Sequence, residues 1–182
     1  FVAAFGKLGF RRAGDYRQVV DLRECHLVTP RVSALLEDLH RWKDQFGIEG
    51  YDYVQHRGDL RYVVTREAFG ANDSNDRGNR QDAKSAESHN SNNNSSNRQD
   101  ARNAKSNNQL MVTLVTASTQ TRVGPMLERL AEKVDSVVWA VNPGITDVAY
   151  GQVQRIIGLP HIRQRVGRFQ FLIGPHSFFQ NN

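Results

Sequence analysis

"LMVTLVTASTQTRVGPMLERLAEKVDSVVWAVN", Leu110 to Asn142, decides the fold class. Its first eight residues, Leu110 to Ala117, are an almost continuous apolar run suited to a central strand. Next, "VGPMLERLAEKVD" places Met126, Leu127, Leu130 and Val134 at helical spacing. "SVVWAVN", Ser136 to Asn142, returns to strand composition. Residues 110 to 142 therefore read as strand, helix, strand.

Working outward, "YDYVQH" (Tyr51 to His56) and "LRYVVTRE" (Leu60 to Glu67) alternate and are rich in aromatic and β-branched residues. The "RGD" between them supplies Gly58, so the pair predicts a hairpin, and the triplet is turn chemistry, not an adhesion signal. Upstream, "LGFRR" and "QVVDL" bracket the turn "AGDY". "TPRVSALLEDLHRWKDQFG" predicts a helix: Thr29 as N-cap, Pro30 at the first helical position, Val32, Leu35, Leu36 and Leu39 on one face, and Gly47 as the stop. "GQVQRIIGL" and "RFQFLIGP" add two late strands. The expectation is an α+β domain: a mixed, largely antiparallel sheet of seven or eight strands with two or three flanking helices.

Residues 70 to 109 have a different composition, Asn, Ser, Asp and Arg with almost no apolar residue. Such a segment cannot bury enough surface to offset the entropy of ordering, and disorder is expected. "NRQDAK" at Asn79 to Lys84 returns as "NRQDAR" at Asn97 to Arg102, a duplication without the apolar face a solenoid would stack. Its charges nearly cancel, and it lies between strands, where loop length costs little. An inert loop expansion fits better than a nucleic-acid-binding arm.

The whole chain has 182 residues, 38% of them hydrophobic, and a formal net charge of +5. A basic excess of this size is compatible with a polyanionic partner. With one cysteine, Cys25, an internal disulfide framework is excluded, and a lone thiol fits a reducing interior. No apolar run approaches the roughly 20 residues of a membrane span. "FVAAFGKLGF" lacks an initiator Met and the form of a signal peptide, so the chain is expected to be a piece of a longer protein. Arginines gather at Arg11, Arg12, Arg17 and Arg23, and again at Arg155, Arg163, Arg165 and Arg168. These are solvated faces or phosphate-contacting faces. There is no glycine-rich cofactor turn, Walker lysine or Ser-His-Asp pattern. Cys25 sits in "DLRECHLVTP" between a strand and the Pro30 helix. A buried small hydrophobe is the ordinary use of such a thiol; metal ligand and nucleophile are the alternatives. His26 is adjacent, but neighbours on a strand point to opposite faces. His40, His56, His89, His161 and His176 show no ligand spacing. Finally, "GPHSFFQNN", Gly174 to Asn182, is too aromatic for a disordered tail.

Taken in order, "LGFRR…VVDLRECHLVTP", "YDYVQHRGDLRYVVTRE", "MVTLVT", "VVWAVNPGITDVAYGQVQRIIGL" and "RFQFLIGPHSFFQNN" resemble the central region of the RNA uracil-5-methyltransferases. These are class I enzymes that make 5-methyluridine in 23S rRNA or tRNA. The resemblance implies S-adenosylmethionine as cofactor and RNA as partner; a monomer is expected, located in the cytoplasm or alternatively in a plastid or mitochondrion. It implies that residues 1–173 are a central α+β domain and that 174–182 begin a Rossmann-like methyltransferase domain absent from the chain. Many members hold a 4Fe-4S cluster on four cysteines, and Cys25 matches the fourth ligand. Gln180 matches a cofactor contact, and Phe178 a position beside the flipped uracil. The nucleophilic cysteine lies in a Ser-Cys-Asn-Pro-like loop downstream in the family, as does the carboxylate base. The fragment alone is thus expected to be inactive. The alternative is a stand-alone RNA-binding module.

Overall fold

The computed structural model describes residues 1–70 and 108–178. The predicted disorder over 70–109 falls outside these apart from Gly70, Asn108 and Gln109, and Gln109 opens a strand. Three strands precede the first helix: β1 (Val2–Ala4), β2 (Lys7–Arg12) and β3 (Asp15–Asp21). β2 and β3 are the pair expected around "AGDY". β1 is additional; at three residues it carries no periodic signal. Gly9 lets β2 and β3 approach closely, since a Cβ there would lie 1.9 Å from the Val20 carbonyl oxygen.

α1 (Pro30–Gln45) starts and stops where the sequence says. The Thr29 hydroxyl accepts from the Val32 amide and donates to Glu67, which ties the cap to the sheet. Gly47 has φ of +64°, the left-handed conformation that ends helices at low cost. Val32, Leu35, Leu36 and Leu39 are all buried.

β4 (Leu60–Ala68) follows, then β5 (Gln109–Thr116), α2 (Gly124–Ala131) and β6 (Ser136–Val141). β5 and β6 pair in parallel with α2 as the crossover, as the strand–helix–strand reading requires. β7 (Gln152–Gly158) closes a seven-stranded sheet of order β3-β2-β1-β4-β5-β6-β7, antiparallel except for β5–β6. β8 (Ile162–Val166) and β9 (Phe169–Ile173) form a separate hairpin. The described residues thus hold nine strands and two helices, an α+β fold.

Tyr51–His56 is not a strand. The Asp52 carboxylate accepts from the amides of Val54 and Gln55, and the Asp52 and Arg57 backbones bond to each other. His56 takes φ of +53°. Side-chain capping of nearby amides outcompetes a ladder here, and the segment closes on itself.

The main core lies between one face of the sheet and both helices. Leu36, Leu39 and Trp42 of α1 and Met126, Leu127 and Leu130 of α2 meet Leu8, Val63, Leu114 and Val137 of the strands. On the opposite face the β8–β9 hairpin covers one end, where Ile162 and Ile173 pack on Ala68, Met111 and Val138. Tyr62, Val115 and Ala140 form the other end of that face.

Candidate nucleic-acid interface

The end of the sheet that the hairpin leaves open is organised by a buried cation. Arg61 is fully buried. It is the extra residue of a bulge, since Leu60 pairs with Thr116 and Tyr62 already pairs with Val115. A bulge re-aims its side chain. The Arg61 guanidinium donates to the carbonyls of Asn142 (2.7 Å), Gly144 and Thr146 (2.6 Å) in the β6–β7 loop. It also lies 4.6 Å from the ring centre of Tyr51 and 5.5 Å from that of Tyr53. Among the described residues no carboxylate bonds it; carbonyl dipoles and aromatic faces hold the charge.

Arg61 thereby fixes a loop of otherwise exposed residues, Pro143 to Tyr150. Farther along the loop, Asp147 receives hydrogen bonds from Tyr62 and from Arg11 of β2. Arg11 also stacks over Tyr53, 5.0 Å from its ring centre. Burial pushes both phenols above their ordinary pKa, and the neighbouring Asp147 adds to the effect at each. Both therefore stay neutral hydrogen-bond donors at any physiological pH. Phe5, Arg11, Tyr16, Arg17, Tyr53 and Ile145 surround a cavity of about 470 Å³ on this surface, with Val54 and Asp147 completing the wall.

The two predicted arginine clusters lie apart, the first at one edge of the seven-stranded sheet and the second divided between β7 and the hairpin that packs over β4 and β5. Arg11, Arg12 and Arg17 are on the β2–β3 edge, and Arg23 lies just past the end of β3. Arg155 is on β7, at the far edge, and Arg163 and Arg165 are on the hairpin. Arg168 stacks on Phe169. At the first edge Arg11 is occupied by Asp147, Arg12 by Gln18 and Arg23 by Glu37. Arg17 is exposed, over the Tyr16 ring at 5.7 Å.

Cys25 is buried, and its amide donates to the Ser33 hydroxyl at 2.9 Å. His26 is exposed and faces Glu24 instead. The adjacent His26 is therefore not paired with the thiol, and that pairing gives the nucleophile reading no support. His40 is a satisfied core histidine, with Nε2 3.0 Å from the Leu22 carbonyl oxygen.

This chain is 25% identical over 175 residues to a tRNA (uracil(54)-C(5))-methyltransferase of Pyrococcus horikoshii, a match covering 96% of the chain and 33% of that protein. A protein of the same name from Pyrococcus abyssi is 26% identical over 175 residues, again 96% of this chain and 33% of the relative. The chain is a homologue of the RNA uracil-5-methyltransferases. An uncharacterized RNA methyltransferase of Nanoarchaeum equitans extends the set, at 19% identity over 181 residues, 98% of this chain and 32% of that one. No family model matches. The fold agrees with the crystal structure of Pyrococcus abyssi tRNA (uracil-54, C5)-methyltransferase in complex with S-adenosyl-L-homocysteine, at TM-score 0.67 and 24% identity, over 100% of this chain and 36% of that one. The chain spans about a third of the length of the curated relatives it matches.

Of the residues that resemblance to this family singles out, Gln180 lies outside the described residues. Phe178 is 88% exposed. Just before it, His176 packs on Tyr150 with ring centres 4.3 Å apart, and the Ser177 hydroxyl accepts from the Gly174 amide. Among the described residues no group of three or more His, Cys, Asp or Glu could hold a metal ion. Cys25 supplies one thiol where a 4Fe-4S cluster takes four, so the described residues do not fit such a cluster on their own. No helix among them is long and apolar enough to cross a membrane.

Arg61, Tyr53, Tyr62 and Phe5 went unnoticed in the sequence. The available signal was an arginine between Leu60 and Tyr62 at the head of an apolar strand, eight residues after a second tyrosine.

Proposed function

We propose that this chain is the RNA-facing part of an S-adenosylmethionine-dependent RNA (uracil-5-)-methyltransferase acting in tRNA or rRNA modification. One observation carries the reading: 96% of the chain aligns with tRNA (uracil(54)-C(5))-methyltransferases at 25% and 26% identity. On this reading residues 1–173 form the central domain, and 174–182 lead into a Rossmann-like cofactor domain not contained in the chain. S-adenosylmethionine supplies the methyl group. Phe178, already exposed, would stack beside a flipped uracil, and Gln180 would hydrogen-bond polar atoms of the cofactor. A thiolate that adds to uracil carbon 6 and a carboxylate that removes the carbon 5 proton are required, and Cys25 is neither. Its burial suits the role of one ligand among four in a cluster whose other ligands come from elsewhere. The lone cysteine favours a reducing compartment such as the cytoplasm, and we read the protein as a monomer.

The test has two parts. The purified chain, titrated with tRNA and with 23S rRNA fragments, is expected to bind with an affinity that falls steeply with salt. Given radiolabelled S-adenosylmethionine, it is expected to transfer nothing. Salt-independent or absent RNA binding overturns the RNA-facing role, and methyl transfer by the chain alone overturns the assignment of the catalytic groups elsewhere. Sequencing the message past Asn182 separates enzyme from binding module: an in-frame glycine-rich turn and Ser-Cys-Asn-Pro-like loop support the enzyme, a stop codon the module.

A further inference from the structure

The cavity at the β1–β2 turn is built from residues that a merely structural surface would not choose. Phe5 and Gly6 are the two central residues of the β1–β2 hairpin turn, and both have positive φ, +52° and +77°. That pattern belongs to turns in which Asn, Asp or Gly is the low-cost residue at the first position. A phenylalanine there is strained, and such strain persists where it serves a site. The ring is 44% exposed, so core packing does not explain it.

Two more apolar side chains reach the same cavity from separate loops, and each loop is pinned. Ile145 is 72% exposed, yet Arg61 binds the carbonyls on both sides of it, Gly144 and Thr146. Val54 is also exposed, and its amide is held by Asp52. Tyr16, 67% exposed on β3, supplies a broad face beside Phe5. Exposed apolar groups held in fixed positions mark a binding surface.

Charge selects the occupant. The one acidic side chain lining the cavity, Asp147, is already engaged by Arg11 and Tyr62. Arg17 stands exposed at the rim, stacked over Tyr16. Aromatic faces with a guanidinium alongside suit a planar base joined to a phosphate. The volume, about 470 Å³, lies within the usual span of small-ligand pockets, roughly 300–1,000 Å³.

We propose that this cavity holds one unpaired nucleobase of the RNA substrate, stacked on Tyr16 and Phe5, with Arg17 on the adjoining phosphate. The inference rests on the RNA-facing role above and names the contact that role uses.

The experiment measures binding of the full chain to fluorescein-labelled oligouridylate, about six nucleotides long, by anisotropy, with a fully paired RNA duplex as the comparison. Tyr16→Ala is expected to weaken oligouridylate binding about tenfold, within the range that stacking of one base implies, and Tyr16→Phe to bind like the parent. Arg17→Ala should reduce the slope of log affinity against log salt by about one. Phe5→Asn separates function from architecture. It suits the turn better, so it should raise Tm by a few degrees while weakening oligouridylate binding. A merely structural Phe5 would move Tm alone. If the parent chain binds RNA with normal salt dependence but Tyr16→Ala and Phe5→Asn bind as well as it does, the cavity assignment is wrong and the RNA reading stands. If the parent binds neither RNA at low salt, the RNA reading fails with it. If oligouridylate binds no better than duplex, the occupant is not an unpaired base.

Discussion

Replacing Arg61 tests whether a single buried guanidinium holds the open end of the sheet together. The residue makes three hydrogen bonds to loop carbonyls and two contacts with tyrosine rings, all from full burial. Hydrogen bonds to a charged donor contribute about 1.5–3 kcal/mol each, and a desolvated cation–π contact up to about 2 kcal/mol. Two effects reduce that gross sum. Removing a buried charge recovers several kcal/mol of desolvation, and the freed carbonyls belong to an exposed loop where water can reach them. The net loss for Arg61→Ala is therefore expected at about 2–4 kcal/mol. Arg61→Met, which keeps the stem and drops the charge, should lose less. Arg61→Lys should approach the alanine value, because one ammonium cannot span three carbonyls that a planar fork reaches together. Urea unfolding followed by circular dichroism measures each difference, and amide exchange over residues 143–150 measures whether the loop opens. A loss below about 1 kcal/mol for Arg61→Ala, with exchange in the loop unchanged, would refute the account.

Further outcomes follow from other contacts. Gly9→Ala forces a Cβ onto the Val20 carbonyl, so it should destabilise by about 1–3 kcal/mol in urea titration and loosen exchange across β2–β3. Leu36→Ala, at a fully buried position on the core-facing side of α1, should cost about 2–5 kcal/mol by the same assay. Thr29→Ala removes a cap that is also bonded to Glu67 and should cost about 0.5–2 kcal/mol. In an alkaline absorbance titration, Tyr53 and Tyr62, two of five tyrosines, should ionise at higher pH than an exposed phenol. Their folded pKa values lie above the unfolded value of 10, so the stability they contribute is intact below about pH 10 and is lost as pH rises toward the folded values.

The strand–helix–strand unit was legible because each part has one dominant period. Leu110 to Ala117 is apolar but for two threonines and sits inside the sheet, whereas Met126, Leu127 and Leu130 repeat at helical spacing and share one face. α1 was legible from single residues whose chemistry is local: a capping hydroxyl, a proline and a terminating glycine. Tyr51–His56 misled for a physical reason. Its aromatic content suits a strand, but two of the rings pack on Arg61, and Asp52 closes the turn. Arg61 was hidden by the bulge, because parity along a strand assigns faces only while the register is unbroken. The cavity joins residues from four parts of the chain, and no spacing rule relates Phe5 to Ile145. Cys25 could be placed as buried at the α1 entry, and its amide bond to Ser33 agrees.

Ala68 and Gln109 are direct partners across the β4–β5 ladder. The sheet therefore keeps count of its pairs independently of how many residues separate the two. A coding sequence that gains or loses a copy of the "NRQDA" unit shifts no side chain from one face to the other. The strand register at this end of the sheet is thus set by the ladder, and the cavity lies at the opposite end.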